Sequence, residues 1–442
     1  MSTAMDAIDA NEAARRAANA RVLARLASVQ PAWTAVRPAR EALGLAPHTL
    51  LHAGPPLTDP CRPPKPLLAS AVLCCLYEGW ASDAMAAEHA IACGRIALRP
   101  AQDFGAVTPL AALISPSSAL VEVVDLAAAG SHAVPARAWS LLGSGAGPQL
   151  RFGSRDPAIL PRLAWRDGAL ARRLNAVLAA GPLALLPLAT TGLAAGDDLH
   201  ARTTAANTAL CERLIPALGG VGDGAADATE EADGGDEGDD GDARAVARML
   251  RQTPLFFLTL WMAACHLMLD RAADGGRDAA SSLVVALAGN GERVGIRLAG
   301  QPHRWHTAPA AAPVGPPLNA SAASATALPV IGDSGVIDAL GCGGQALTGA
   351  PEIAAALAPW LPADWRTRPG SLLAGRHPGL APQGLAVGLD AASIVTGREP
   401  LTAIAMIDAA GELGLLGRGL FVPPASLFAQ AARDIAAAAG EA

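Results

Sequence analysis

The longest apolar run in the chain is LFFLTLWMAACHLML, Leu255 to Leu269, and it gathers bulk that the rest of the sequence lacks. As a helix, fifteen residues reach about 22 Å, short of the roughly 30 Å of a bilayer's hydrocarbon. The run therefore reads as a helix buried inside a folded protein. Aromatic residues make up only 3% of the 442 positions, so Ala, Leu and Val must fill the remaining core. A chain of this length supports two or three domains with sizeable cores.

Either side of that helix the patterns alternate. Residues 6–30 read as a charged amphipathic helix stopped by Pro31, not a signal peptide. HTLLHAGPP (48–56) reads as a short buried strand running into a Gly-Pro turn, KPLLASAVLCCLYEGWA (65–81) as a core helix, and ALVEVVDL (119–126) as a strand. From about Pro157 to Asp270 strand signals fade and alanine-leucine helical patterns take over. They return as SSLVVALAG and ERVGIRLAG, joined by Asn290-Gly291, a strong hairpin signal. An irregular Pro/Ala/Ser stretch (308–329) follows, then a glycine turn before a helix in LGCGGQALTGAPEIAAAL, and a final core strand in PLTAIAMIDAAG. The expected fold class is α/β (α+β). An N-terminal α/β domain spans 1–156, a helical domain 157–274, and a C-terminal α/β domain 275–442.

Charge narrows the partners. Residues 219–242 hold ten carboxylates and no cation; setting them aside brings the formal charge from −7 to +3. Such a Gly/Asp/Glu run buries nothing and is expected as a solvated, disordered loop. Its spacing lacks the calcium-loop pattern. The body shows no basic stripe for nucleic acid. Seven cysteines, an odd number with no C-x-x-C, suit a reducing compartment, and with no spanning segment the expected location is cytoplasmic.

Ionisable residues concentrate at TGLAAGDDLHARTTAANTAL (191–210). Asp197 or Asp198 is placed to cap a helix on which Leu199, Thr203, Ala206, Leu210 and Leu214 share one face. A helix start also binds anions, Arg202 suits a bidentate contact, and His200 is a candidate proton carrier. Spacing favours the cap with a solvated polar face and leaves the functional reading open. IGDSGVIDALGCGG (331–344) contains Gly-Asp-Ser-Gly, but nothing else of a serine protease accompanies it. It reads as a turn at Asp333 and Ser334 leading to glycines whose N–H groups suit an anion, or as an ordinary glycine turn. His303 and His306 have H-x-x-H spacing without further ligands, so no metal site is expected. No phosphate-binding glycine-lysine motif occurs.

Nine segments in order, among them LLHAGPPL (50–57), AVLCCLYEGWA (71–81), AVTPLAALISPS (106–117), GDDLHARTTAAN (196–207), FFLTLWMAAC (256–265) and GDSGVIDALGCGG (332–344), resemble the YlbE-like family over about residues 10–430. That family includes the AllG-type subunit of oxamate carbamoyltransferase. The resemblance implies two unusual α/β domains with a helical one, no cofactor, and a complex with an FdrA-like subunit and a third subunit in allantoin breakdown. Homo-oligomerisation is left open. The implied reaction turns oxalurate and phosphate into oxamate and carbamoyl phosphate, or the reverse. The implied catalytic residues are His200, Asp197 and Arg202. Asp198, Asn290, Asp333, Ser334, Gly343 and Gly344 are implied to bind substrate. Where the family reads Gly-Asp-Glu-Cys-His-Asn-Arg-Asn, this chain has Ala201 and Thr203 for the two asparagines. These replacements keep alternatives in view: another acceptor, a non-catalytic scaffold subunit, or a ureido-acid hydrolase.

Overall fold

The structure, a computed structural model, describes residues 2–128, 135–219 and 239–440. The acidic run falls mostly outside the described residues. In the first part of the chain the strands are β1 (Pro31–Pro38), β2 (Thr49–His52), β3 (Ala97–Pro100), β4 (Ala106–Val107), β5 (Ala119–Asp125), β6 (Arg137–Leu141) and β7 (Leu183–Ala184). The later strands are β8 (Val284–Asn290), β9 (Arg293–Leu298), β10 (Gln301–Pro309), β11 (Ile331–Gly332), β12 (Leu373–Arg376), β13 (Ala386–Leu389), β14 (Thr402–Ile407) and β15 (Leu415–Phe421).

One sheet has the order β4-β6-β5-β1-β7, mixed because β4 runs parallel to β6. A second, antiparallel sheet has the order β10-β9-β8-β11. Three two-stranded pairs complete the set, β2 parallel to β3 and the pairs β12-β13 and β14-β15 antiparallel. The class is α/β, as expected. The Asn290-Gly291 hairpin forms between β8 and β9. Pro31 does more than stop the first helix, which ends at Ser28: it opens β1, where a missing N–H is tolerated at a strand's first position. PLTAIAMIDAAG supplies β14 but not the last strand, since β15 and the helix Ala425–Gly440 follow.

The apolar run becomes the helix Phe256–Ala273, and it is the central element. It packs on β1, β4, β5 and β6 of the first sheet and on β8 of the second. The helices Ser2–Ser28 and Gly335–Leu340 also lie against it. Phe257 and Trp261 stack one turn apart at 6.1 Å between ring centroids, both fully buried. A helix apolar all round needs such all-round cover. The expected helical domain 157–274 thus ends in a helix whose packing joins both sheets, within one apolar cluster running from Val22 to Ile435. Among the described residues no single helix is long and apolar enough to cross a membrane; Gly241–Gln252 and Phe256–Gly276 meet that measure only as a pair bent by 77°.

Backbones approach closely where the halves meet. After β2 the chain turns at Gly54 (φ +79°), and a Cβ there would lie 2.4 Å from the carbonyl carbon of Gly289 in β8. Left-handed φ and the close approach both require glycine. Gly54→Ala is expected to cost about 3 kcal/mol in urea unfolding, combining strain and overpacking. Gly44→Ala, at a similar φ of +61° with nothing within 4 Å of its Cβ position, is expected to cost about 1 kcal/mol. Equal losses would show that the close approach contributes nothing.

Candidate functional site

The turn at 197–202 is built around its own carboxylates. The helix it precedes begins at Thr204, later than the spacing suggested. Asp198, fully buried, accepts hydrogen bonds from the backbone N–H of His200 (3.3 Å), Ala201 (3.1 Å) and Arg202 (2.7 Å). The loop closes through Leu199 at φ +66°, whose N–H donates to the Arg202 carbonyl at 3.0 Å. Asp197 accepts from the N–H of Ala206 (2.9 Å), so it caps the helix from seven residues before its first residue, and from Arg202 Nε (3.2 Å). Arg202 Nη1 also pairs with Glu352. The N–H groups suited to an external anion are therefore held by Asp198, and Arg202 is held by two carboxylates. An entering phosphate would displace a covalently tethered competitor.

His200 is buried, and its Nδ1 meets Asp338 Oδ2 at 2.7 Å. Burial pulls the imidazole's pKa down, but the charge and hydrogen bond of Asp338, helped by Asp198, outweigh it and raise it. Burial pushes the Asp198 carboxyl up, against the N–H bonds and His200 that favour its charge. The other oxygen of Asp338 accepts from the N–H of Gly344 (2.8 Å) and Ala403 (3.2 Å), while Gly343 N–H donates to the Asp198 carbonyl at 2.7 Å. Gly343 (φ +58°) permits this, since a Cβ would sit 2.4 Å from Asp338. The structure thus joins the two motifs singled out from sequence, but through Asp338, which spacing had not marked. Both glycine N–H groups are taken. Neighbouring Cys342 and Cys265 are buried thiols whose pKa values burial pushes far up, so neither is a nucleophile in waiting.

The other expected substrate residues lie at the junction of the halves. Asp333 accepts from the N–H of Gly54 (3.0 Å), Gln102 Nε2 (2.8 Å) and the N–H of Thr108 (2.9 Å). Asn290 donates to the carbonyls of Pro55 (3.0 Å) and Pro56 (3.2 Å) and accepts from the N–H of Glu292 and Arg293. Ser334 is buried ahead of the helix Gly335–Leu340 without a capping side-chain bond. Asp333 and Asn290 therefore spend their polar atoms fastening the AGPP turn to the second sheet. That fastening explains why both are buried.

Beside this junction lies a cavity of about 510 Å³, lined by Gln102, Asp103, His266, Asp270, Arg297 and His303 among others. Its volume falls in the usual range for small-molecule sites, about 300–1,000 Å³. Gln102, His266 and Arg297 are only 6%, 6% and 7% exposed, and each keeps a buried polar atom without a partner: Oε1, Nδ1 and Nε. Arg297 Nη2 pairs with Asp103, and the guanidinium lies 4.3 Å from the centre of the Trp305 ring. Burial lowers the His266 pKa; Asp270 opposes this and Arg297 reinforces it. No motif or spacing marks Gln102, His266 and Arg297 as site residues. The available signal was an ionisable residue inside an otherwise apolar element: His266 in LFFLTLWMAACHLML, Arg297 in VGIRLAG.

A larger groove of about 910 Å³ runs past Lys65, Gln149, Arg155, Asp156 and Glu412. Its charges are mixed, and none of these side chains leaves a buried polar atom unpaired. Among the described residues no group of three or more His, Cys, Asp or Glu could hold a metal ion. His303 is exposed, while His306 is buried 3.5 Å from Asp434.

Comparison with known proteins gives concordant results. A family model described as "Oxamate carbamoyltransferase subunit AllG" matches residues 96–334. The Escherichia coli (strain K12) protein "Oxamate carbamoyltransferase subunit AllG" is 29% identical over 96% of this chain and 98% of its own. A second protein of that strain, "Uncharacterized protein YahG", is 28% identical over 94% of this chain and 84% of its own. A crystal structure of a conserved protein of unknown function from Enterococcus faecalis V583 has the same fold, with a TM-score of 0.81 and 24% identity over 96% of this chain and 98% of that one.

Burial raises the Asp333 carboxyl to a pKa of about 6, against its three donors. The folded state then holds a proton that the unfolded state releases near pH 4. Stability from this group is present below about pH 4 and lost as pH rises to about 6, by about 3 kcal/mol. Asp333→Asn is expected to remove that slope from the pH dependence of urea unfolding. An unchanged slope would rule out Asp333 as its source.

Proposed function

Because the chain belongs to the family of the oxamate carbamoyltransferase subunit AllG, we propose that it is one subunit of a complex that moves a carbamoyl group between phosphate and a small amide or ureido acid. The partners on this reading are an FdrA-like subunit and a third subunit. The observation that carries it is the polar cavity at the junction of the halves, in a chain related nearly end to end to such a subunit. In the direction of oxalurate breakdown, a phosphate oxygen attacks the ureido carbonyl carbon. The bond from that carbon to the oxamate nitrogen breaks, the nitrogen takes a proton, and oxamate leaves as carbamoyl phosphate forms. Such a transfer needs donors aimed at the carbonyl oxygen and a group that moves the amide proton.

On this reading Asp197, Asp198, His200 and Arg202 are positioning residues. They fix the turn against Asp338 and the glycines at 343 and 344. The groups left to meet substrate are those lining the cavity. One observation favours a scaffold role instead: Asp198, Asn290, Asp333 and both glycines bond within the chain itself. A hydrolase would use water in place of phosphate.

The test mixes the chain with the FdrA-like and third subunits and follows carbamoyl phosphate formed from oxalurate and phosphate. Product is expected only with all three proteins. Oxamate release independent of phosphate would establish a hydrolase, and undiminished turnover without this chain would end the reading. His200→Asn is expected to lower stability by about 3 kcal/mol, by stranding the buried Asp338 carboxylate. It should change kcat of the assembled complex less than about tenfold. A fall of about a thousandfold with assembly intact would put His200 on the proton path instead.

A further inference from the structure

The cavity's chemistry discriminates between the two halves of such a reaction. Gln102 donates its amide to Asp333 (2.8 Å), and that bond orients the side chain so that Oε1 is the free acceptor. Arg297 is pinned by Asp103 and the Trp305 ring, and its Nε–H is a free donor. His266, neutral, brings one donor and one acceptor. Its Nδ1 is unpaired. The three side chains line one cavity, and a planar primary amide carries both kinds of partner they lack, donating through its nitrogen and accepting through its oxygen. Leaving these buried atoms unpaired would cost about 1–3 kcal/mol each.

Charge points the same way. The lining carries one guanidinium, already paired, and two carboxylates, Asp103 and Asp270. With His266 neutral the balance is one negative charge. A phosphate dianion would enter against that balance with no unpaired cation to meet it. A neutral ureido or amide group meets no such barrier, and a monoanionic amide acid meets a smaller one than a dianion, offset in part where its carboxylate faces Arg297.

We propose that the cavity formed by Gln102, His266 and Arg297 binds the amide- or ureido-acid partner of the transfer and excludes phosphate. This rests on the carbamoyl-transfer reading for the identity of the acid, and on geometry for the class of group bound.

The experiment is calorimetric titration of the full chain with sodium oxamate and, separately, with inorganic phosphate. Oxamate is expected to bind and phosphate not to compete with it. Arg297→Lys, which removes the Nε–H and the planar fork, should weaken oxamate binding roughly tenfold or more. Asp270→Asn, at an exposed position where folding is safe, should strengthen it a few-fold by removing a like charge. Three outcomes overturn the proposal: no oxamate binding by the wild-type chain, competition by phosphate, or both variants binding as wild type does. The two readings fail separately. Oxamate binding that follows these variants, in a complex that never forms carbamoyl phosphate, keeps the pocket and removes the reaction. A working complex whose free chain ignores oxamate does the opposite.

Discussion

Two sheets packed on one central helix bring polar backbone together inside the fold, and buried Asp333 resolves that conflict. Its carboxylate takes the N–H of Gly54, the N–H of Thr108 and the amide of Gln102, all from the first half of the chain. Asn290 does the complementary task, donating to the carbonyls of Pro55 and Pro56. Together they hold the AGPP turn against β8 in one register. Hydrogen bonds to a charged group contribute about 1.5–3 kcal/mol each when fully formed. The cost is a buried charge, and it shows in the raised Asp333 pKa. The cavity inherits its geometry from this clamp, because the bond to Asp333 orients Gln102.

The turn at 197–202 follows the same logic in miniature. Three successive N–H groups would bind any anion of suitable size, and here the anion is Asp198. Asp197 does the same for the following helix. Three buried carboxylates, Asp197, Asp198 and Asp338, surround one imidazole and one half-buried guanidinium. That balance favours rigidity over the reception of a further negative charge.

Much of the plan was legible in the sequence for reasons that are local. Asn290-Gly291 between two apolar runs made a hairpin, and LFFLTLWMAACHLML made a buried helix. The GDDLHART segment was legible as a place where ionisable groups are fixed. What could not be read was partnership across 138 residues, the separation of His200 and Asp338. Spacing describes one helix face or one strand face at a time. Arg297 and Gln102 acquire meaning only when β9 and the turn after β3 come side by side, a juxtaposition no local period encodes. The helix starts later than spacing predicts for a related reason: Asp197 caps it at a distance, across a left-handed Leu199, whereas a capping residue ordinarily adjoins its helix.

The cavity walls come from three separate stretches: the turn after β3, the central helix, and the strands β8 to β10. No one stretch retains the site if the halves part. Any molecule that occupies it is therefore coupled thermodynamically to their docking. A ligand at a hundred times its dissociation constant adds about 2.7 kcal/mol to the folded state, on the order of what the Asp333 clamp itself withholds between acid and neutral pH. A ligand held there would act as part of the framework, and its concentration would set how firmly the two sheets are joined.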